Sequence, residues 1–298
     1  VGSAVFGHFG DRIGRKATLV AALLTMGLST VCIGLLPTYE SIGVLAPIGL
    51  SLCRFGQGFG LGGEWGGATA FMAEWAPEGK RGYYASFQQA SIATALVLSS
   101  GTGAILTSLL TPEQLATWGW RLPFSMGLVL AVVGVWLRQN VEETPAYQEA
   151  SKQAAVPSGD SNVMLALRAF GFTIHWTVAF YILLSYMPTF TKTHAGFSAS
   201  DSLWANTIGL IALVVLVPIF GAVSDRIGRK PLLLLSCAFF AVGTYPLYVL
   251  LLSKPGFGGL IAIQMLFCAA IALFSGAGPA AIAEMFRTIG RSTWMTPA

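Results

Sequence analysis

The chain has 298 residues, of which 54% are hydrophobic and only 10% charged, against about 25% charged in an ordinary soluble domain. A water-soluble globule is excluded, and the apolar surplus has to face lipid. The net charge of +4 comes from a few basic loops between apolar runs and gives no sign of nucleic acid as a partner.

In chain order, residues 1–6 read as the stub of a span, and the charged loop GHFGDRIGRK, from Gly7 to Lys16, follows. Residues 17–36 are long enough to cross a bilayer, which takes roughly 17 to 25 helical residues. Residues 42–72, interrupted by Arg54 and Glu64, are too long and too Gly-rich for one plain cylinder. Their first residues are therefore expected to be loop. Further spans are predicted at 83–110, at 120–137 with Arg121 on its edge, and at 169–190, 203–223, 231–253 and 256–283. No ten-residue alternating segments occur, so the spans are α-helices and not barrel strands. The longest polar stretch, residues 138–168, separates two sets of spans. It yields an N-terminal half at 1–138, a cytoplasmic linker at 139–162 with a surface helix around 145–155, and a C-terminal half at 163–298.

Orientation follows from the basic residues. Loops on one side hold Arg12, Arg15, Lys16, Lys80, Arg81, Arg138, Lys152, Arg168, Arg226, Arg229, Lys230, Arg287 and Arg291; the other side holds Arg121, Lys192 and Lys254. The positive-inside rule makes the first side cytoplasmic. Trp118, Trp120 and Trp204 then lie at the outer interface. Cys32, Cys53, Cys237 and Cys268 sit singly in apolar spans, which predicts packing roles and neither a disulfide nor a metal site.

The ten-residue pattern of Gly7 to Lys16 returns as GAVSDRIGRK, from Gly221 to Lys230. A repeat on this scale fixes the architecture as a duplication. A second pair of copies, Glu74 with Arg81 and Glu284 with Arg291, keeps the same spacing. Two spans precede the second DRIGRK loop but only a stub precedes the first, and two spans follow the first Glu–Arg pair but none the second. The symmetry predicts an internal piece of a twelve-helix protein, with about eight full transmembrane helices plus the stub.

Arg54 is the most informative single residue, because an Arg near a helix centre costs about 2.5 to 3.5 kcal/mol on insertion scales and therefore faces a cavity. At 100° per residue, Arg54, Gln57, Leu61 and Glu64 form one polar stripe. Gly58, Gly62 and Gly66 fall on another face at the spacing that lets helices approach closely. Arg54 is assigned to a substrate carboxylate or to tuning a proton-carrying acid, the alternative being a structural interhelical pair. Glu64, a carboxyl that protonation would neutralise inside the membrane, is a candidate proton site; a bond that merely holds helices together is the alternative. Gln57, Gln88, Gln89, His175, Tyr181, Tyr186, Asn206 and Gln264 are further polar candidates for a cavity wall, although a lone His or Tyr in a bundle is commonly a packing residue. Gly276 to Pro279 reads as a flexible or broken segment. Pro218 and Pro246 are expected to kink their helices.

The doubled DRIGRK loops, the run Arg54-Phe-Gly-Gln57-Gly58, the run Gly62-Gly63-Glu64-Trp65-Gly66-Gly67, and Trp118-Gly-Trp120-Arg121-Leu-Pro123 followed by Glu142-Glu143-Thr144-Pro145 together carry a resemblance. The chain resembles the major facilitator superfamily, and within it the metabolite:proton symporter group of proline/betaine, α-ketoglutarate, citrate and shikimate carriers. The resemblance implies an all-α polytopic inner-membrane protein of two pseudo-repeated six-helix halves, here incomplete at both ends. It implies a small-molecule substrate and a proton as partners, a monomer in the lipid bilayer, no cofactor and no metal. It also implies a cytoplasmic gate built from Gly7, Asp11, Arg12, Gly14, Arg15, Lys16, Glu74 and Arg81 and from Gly221, Asp225, Arg226, Gly228, Arg229, Lys230, Glu284 and Arg291. In that gate Gly14 and Gly228 permit tight turns, Asp225 caps the helix that starts near Tyr83, and the basic residues pair with Glu74 and Glu284. A topology-fixing basic loop without a gating role is the alternative.

The span at 83–110 lacks the G-x-x-x-G-P pattern associated with antiporters of the superfamily, which favours a symporter. No Walker loop, nucleophile elbow or paired metal-ligand His is present, so neither ATP-driven transport nor an enzyme is supported. The resulting expectation is proton-coupled symport of a small organic acid or zwitterionic osmolyte by alternating access. The competing expectation is a non-transporting truncated product or membrane sensor on the same scaffold.

Overall fold

The computed structural model describes residues 2, 5, 6, 15–139 and 162–285. All the regular structure among them is helical: α1 Arg15–Leu35, α2 Tyr39–Ile42, α3 Leu45–Glu74, α4 Arg81–Leu109, α5 Pro112–Thr117, a 3-10 turn Gly119–Arg121 leading into α6 Leu122–Gln139, α7 Asn162–Phe180, a π segment Tyr181–Tyr186, α8 Met187–Thr193, α9 Ala199–Ile227, α10 Arg229–Leu252 and α11 Gly256–Met285. Among the described residues, Arg81–Leu109, Ala169–Thr193, Ala199–Ile227, Arg229–Leu252 and Gly256–Met285 are long and apolar enough to cross a membrane, and Val20–Leu35 is a shorter apolar helix. Val242 and Tyr245 are 76% and 79% exposed on α10, which suits a surface solvated by lipid.

The expected loop at the start of 42–72 is brief. Gly43, at φ 56°, separates α2 from α3, a left-handed conformation that costs glycine nothing. From Leu45 the helix runs unbroken through its glycines. The helices form two compact units.

In the first unit α1 runs antiparallel to α3, and the glycines set their spacing. A Cβ placed on Gly60 would lie 2.6 Å from the Ala22 carbonyl oxygen, one on Gly49 would lie 2.9 Å from Leu36 Cδ2, and one on Gly56 would overlap Ser29 Oγ. The close approach to α1 is therefore made at Gly49, Gly56 and Gly60, which corrects the expectation for Gly58. A Cβ on Gly58 would meet nothing within 4 Å. The physical reason is rotation of α3: Gln57 bonds sideways to α1, which turns Gly58 toward open space. Helix α6 covers another side of α1, with Gly127 against Thr30 and Gly34 against Phe124.

In the second unit α9 lies against α4 and α11. Three glycines make this approach possible. A Cβ on Gly221 would lie 2.7 Å from the Gly82 carbonyl oxygen, and one on Gly276 would lie 2.8 Å from the Val217 carbonyl oxygen. The segment at Gly276 to Pro279 is thus not broken as expected. Helix α11 continues through Pro279 to Met285, because the missing side chain at Gly276 is used for close packing. Pro218 and Pro246 lie inside helices that run on past them. Leu210, Leu213, Val217 and Phe267 are completely buried in the core of this unit.

The π segment has a local cause. Pro188 has no N–H to donate to Leu184 four residues earlier, and its ring crowds that carbonyl. The turn widens over Tyr181–Tyr186, and two amide side chains serve the carbonyls inside it. Asn206 Nδ2 donates to the Leu184 oxygen at 3.1 Å, and Gln264 Nε2 donates to the Leu183 oxygen at 3.1 Å and to Asn206 Oδ1 at 2.8 Å. Ser100 of α4 joins the network, accepting from Asn206 Nδ2 at 3.3 Å and Thr207 Oγ1 at 3.0 Å.

Candidate functional site

Gly228 closes α9 and opens α10 at φ 89°, a backbone position that side chains avoid. This turn brings Asp225, Arg229 and the end of α11 together. Asp225 reaches the first turn of α4, where Gly82 N donates to Oδ1 and Tyr83 N to Oδ2, both at 2.8 Å. Lys80, at the N-cap of α4, provides no side-chain cap of its own. Asp225 therefore caps a helix more than a hundred residues earlier in the chain, with its negative charge on the positive end of the helix dipole. Arg229 Nη1 donates to Asp225 Oδ1 at 2.7 Å and to Ser224 Oγ at 3.0 Å, and Nη2 donates to Glu284 Oε1 at 3.1 Å. One guanidinium thus joins two carboxylates from α9 and α11. Gly221 and Gly82, having no side chains, leave room for this arrangement. Arg81, Arg226 and Lys230 are exposed around it.

In the second copy of the loop, Asp225, Arg229 and Glu284 are thus brought together around the turn at Gly228. Of the first copy, Gly7, Asp11, Arg12 and Gly14 lie outside the described residues, as do Arg291 and the side chains of Arg15, Lys16, Glu64 and Glu74. The surface helix expected around 145–155 lies outside them too.

A cavity of about 510 Å³ in the first unit is lined by Leu23, Met26, Gly27, Thr30, Arg54, Gln57, Gly58, Leu61 and Gly127. Arg54 Nη1 donates to Gln57 Oε1 at 3.0 Å, and Gln57 Nε2 donates to Thr30 Oγ1 at 2.6 Å. Among the described residues no carboxylate pairs with Arg54. Of the stripe predicted from the sequence, Arg54, Gln57 and Leu61 line this cavity, and the side chain of Glu64 lies outside the described residues.

The remaining polar candidates are scattered. Gln88 and Gln89 are buried and bonded to each other. Tyr181 and Tyr186 bracket the π segment and are 56% and 49% exposed. His175 packs against Phe240 and Phe274, and its Nε2 has no hydrogen-bond partner among the described residues. Asn206 and Gln264 fill carbonyls. Ser100, which accepts from both Asn206 and Thr207, and Thr207 itself were not picked out from the sequence; hydroxyls in apolar spans carry no distinguishing pattern.

The model of the Major Facilitator Superfamily matches residues 1–295. The chain belongs to the major facilitator superfamily. Among curated relatives, the inner membrane metabolite transport protein YhjE of Escherichia coli K12 is 44% identical over 240 residues, covering 77% of this chain and 54% of the relative. The proline/betaine transporter of Salmonella typhimurium LT2 is 33% identical over 305 residues, covering 97% and 60%. The α-ketoglutarate permease of E. coli K12 is 34% identical over 249 residues, covering 83% and 58%. The chain thus spans a little over half the length of these superfamily members. The solved structure of the proton:xylose symporter XylE superposes with a TM-score of 0.83 at 18% identity, covering 99% of this chain and 72% of that one. The likeness to this superfamily structure is one of fold.

Proposed function

We propose that the chain serves a proton-coupled symporter of the metabolite group, carrying a small organic acid or zwitterionic osmolyte by alternating access. The observation that carries this reading is Arg54, a guanidinium without a carboxylate partner among the described residues, on the wall of a cavity of about 510 Å³. An unpaired cation inside a membrane protein is stabilised by an anion, and the planar guanidinium fork matches a carboxylate. Relatives named for proline/betaine and α-ketoglutarate carry that group on their solutes. Gln57 orients the guanidinium, and Glu64, ten residues further along α3, is the proposed proton site.

The capped start of α4 is the proposed gate. When Asp225 holds Gly82 and Tyr83, and Arg229 holds Glu284, the side of the membrane bearing the DRIGRK loop is closed; breaking these bonds lets it open. The proposed arrangement places that side in the cytoplasm and has the halves 1–138 and 163–298, joined by the linker 139–162, rocking around a midplane site within one monomer.

The test is uptake by the full-length protein in proteoliposomes with an inward proton gradient, offering glycine betaine, α-ketoglutarate and a neutral sugar in parallel. Accumulation of a carboxylate-bearing solute, collapsed by a protonophore, is expected. Uptake indifferent to the gradient, or equal uptake of the sugar, would overturn the proposal.

A further inference from the structure

A second cavity, of about 380 Å³, opens in the second unit between the start of α4 and the end of α9. Tyr83, Pro218, Ile219, Ala222, Val223 and Arg226 line it. Its two ends differ in chemistry. Arg226 lies in the last turn of α9 and Tyr83 in the first turn of α4, so both sit where membrane-crossing helices leave the bilayer. Among the described residues neither the Arg226 guanidinium nor the Tyr83 hydroxyl has a hydrogen-bond partner, and both residues are exposed. The other end is apolar and two turns deeper. Pro218 lies eight residues before Arg226, about 12 Å along the helix at 1.5 Å per residue, with Ile219 half exposed beside it. A cation and a hydroxyl at headgroup depth, continued by an apolar channel running into the membrane, suit one kind of ligand.

We propose that this groove binds an anionic phospholipid, with its phosphate on Arg226 and the Tyr83 hydroxyl and the upper part of an acyl chain along Pro218, Ile219 and Ala222. A free phosphate satisfies only the polar end and leaves the apolar walls uncovered. A zwitterionic lipid satisfies the walls but brings its own cation to Arg226. The anionic lipid satisfies both. Because Tyr83 N is also a donor to Asp225, a lipid seated here touches both helices beside their hydrogen-bonded junction. The site is independent of the solute that the chain carries.

Native mass spectrometry of the full-length protein, released from mild detergent with equal amounts of phosphatidylglycerol and phosphatidylcholine, tests this. Phosphatidylglycerol is expected to be retained in preference. Arg226→Gln should lower its retention about five-fold, the size of one basic contact at a membrane surface. Ala222→Trp, which fills the groove without changing charge, should lower it at least as much. Lys230→Gln, four residues on in the first turn of α10 and outside the cavity, should leave the preference in place. Glycerol phosphate, a headgroup without chains, should not compete. Equal retention of the two lipids overturns the proposal. So does an equal effect of Lys230→Gln, which marks diffuse charge, an unaffected Ala222→Trp variant, which places the lipid elsewhere, or competition by glycerol phosphate, which marks a soluble-anion site.

Discussion

Replacing Asp225 with Asn preserves shape and removes charge, and the geometry fixes what is lost. The carboxylate accepts from Gly82 N and Tyr83 N at 2.8 Å and from Arg229 Nη1 at 2.7 Å, with only 9% of its side chain exposed. An amide offers one oxygen to these three donors and turns an NH2 toward one of them. Hydrogen bonds to a charged group contribute about 1.5 to 3 kcal/mol each, and a charge at a helix N-terminus contributes up to about 2 kcal/mol where it is partly buried. With one bond retained, two are lost, and even at the lower end of that range the state in which α4 and the loop are joined should lose about 3 kcal/mol, or about 150-fold in its equilibrium at 1.36 kcal/mol per decade. Alternating conformations separated by only a few kcal/mol would exchange populations under that change. In the full-length protein, Asp225→Asn is therefore expected to lower the initial rate of solute uptake at least tenfold while the amount inserted in the membrane, quantified on the same vesicles, stays at the wild-type level. Unchanged uptake kinetics would refute the reasoning, and a loss of inserted protein equal to the loss of rate would make the contact one of folding alone.

Three other outcomes follow from contacts described above. Gly60→Ala places a methyl group 2.6 Å from the Ala22 carbonyl oxygen and should cost about 1 to 3 kcal/mol of stability; Gly58→Ala meets open space and should be neutral or gain up to about 1 kcal/mol from helix propensity. Thermal unfolding in detergent separates them, and equal shifts would contradict the assigned packing face. Asn206→Leu strips the Leu184 carbonyl of its donor and should cost about 1 to 3 kcal/mol; adding Pro188→Ala, which supplies the missing backbone N–H, should recover part of the loss in the same unfolding measurement, and an additive loss would disprove the explanation of the π segment. Arg54→Gln should abolish uptake of a carboxylate-bearing solute while Arg54→Lys keeps a fraction, since charge survives but the planar fork does not; a wild-type KM in the glutamine variant would remove Arg54 from the site.

The legible parts of the sequence were those where a charge meets lipid or a pattern repeats. Arg54 on a cavity wall followed from the cost of charge in a membrane, and the contact of Asp225 with the helix at Tyr83 from the resemblance carried by the repeated DRIGRK loop. Gly58 was placed on the wrong face of α3 because glycines at 56 and 60 share the i, i+4 spacing of those at 58 and 62. Only the rotation of the helix decides between them, and it depends on Gln57 finding Thr30, a residue on another helix. The π segment left one local sign, Pro188. Its remedy, Asn206 and Gln264, comes from α9 and α11 and could be located only once those helices were packed against it. Similarly, Gly276 to Pro279 has the composition of a break, but a neighbouring backbone at van der Waals distance holds it as helix.

The first turn of α4 has no cap from its own segment and relies on Asp225 instead. The amide hydrogens of Gly82 and Tyr83 are consequently a reporter built into the backbone. They are shielded while Asp225 is in place and open to solvent when it leaves, so their exchange with deuterium reads the state of the loop directly, without a label and without a substrate. Any solute, lipid or proton that shifts the balance between closed and open should register as a change in the protection of these two positions, even if it binds far from them.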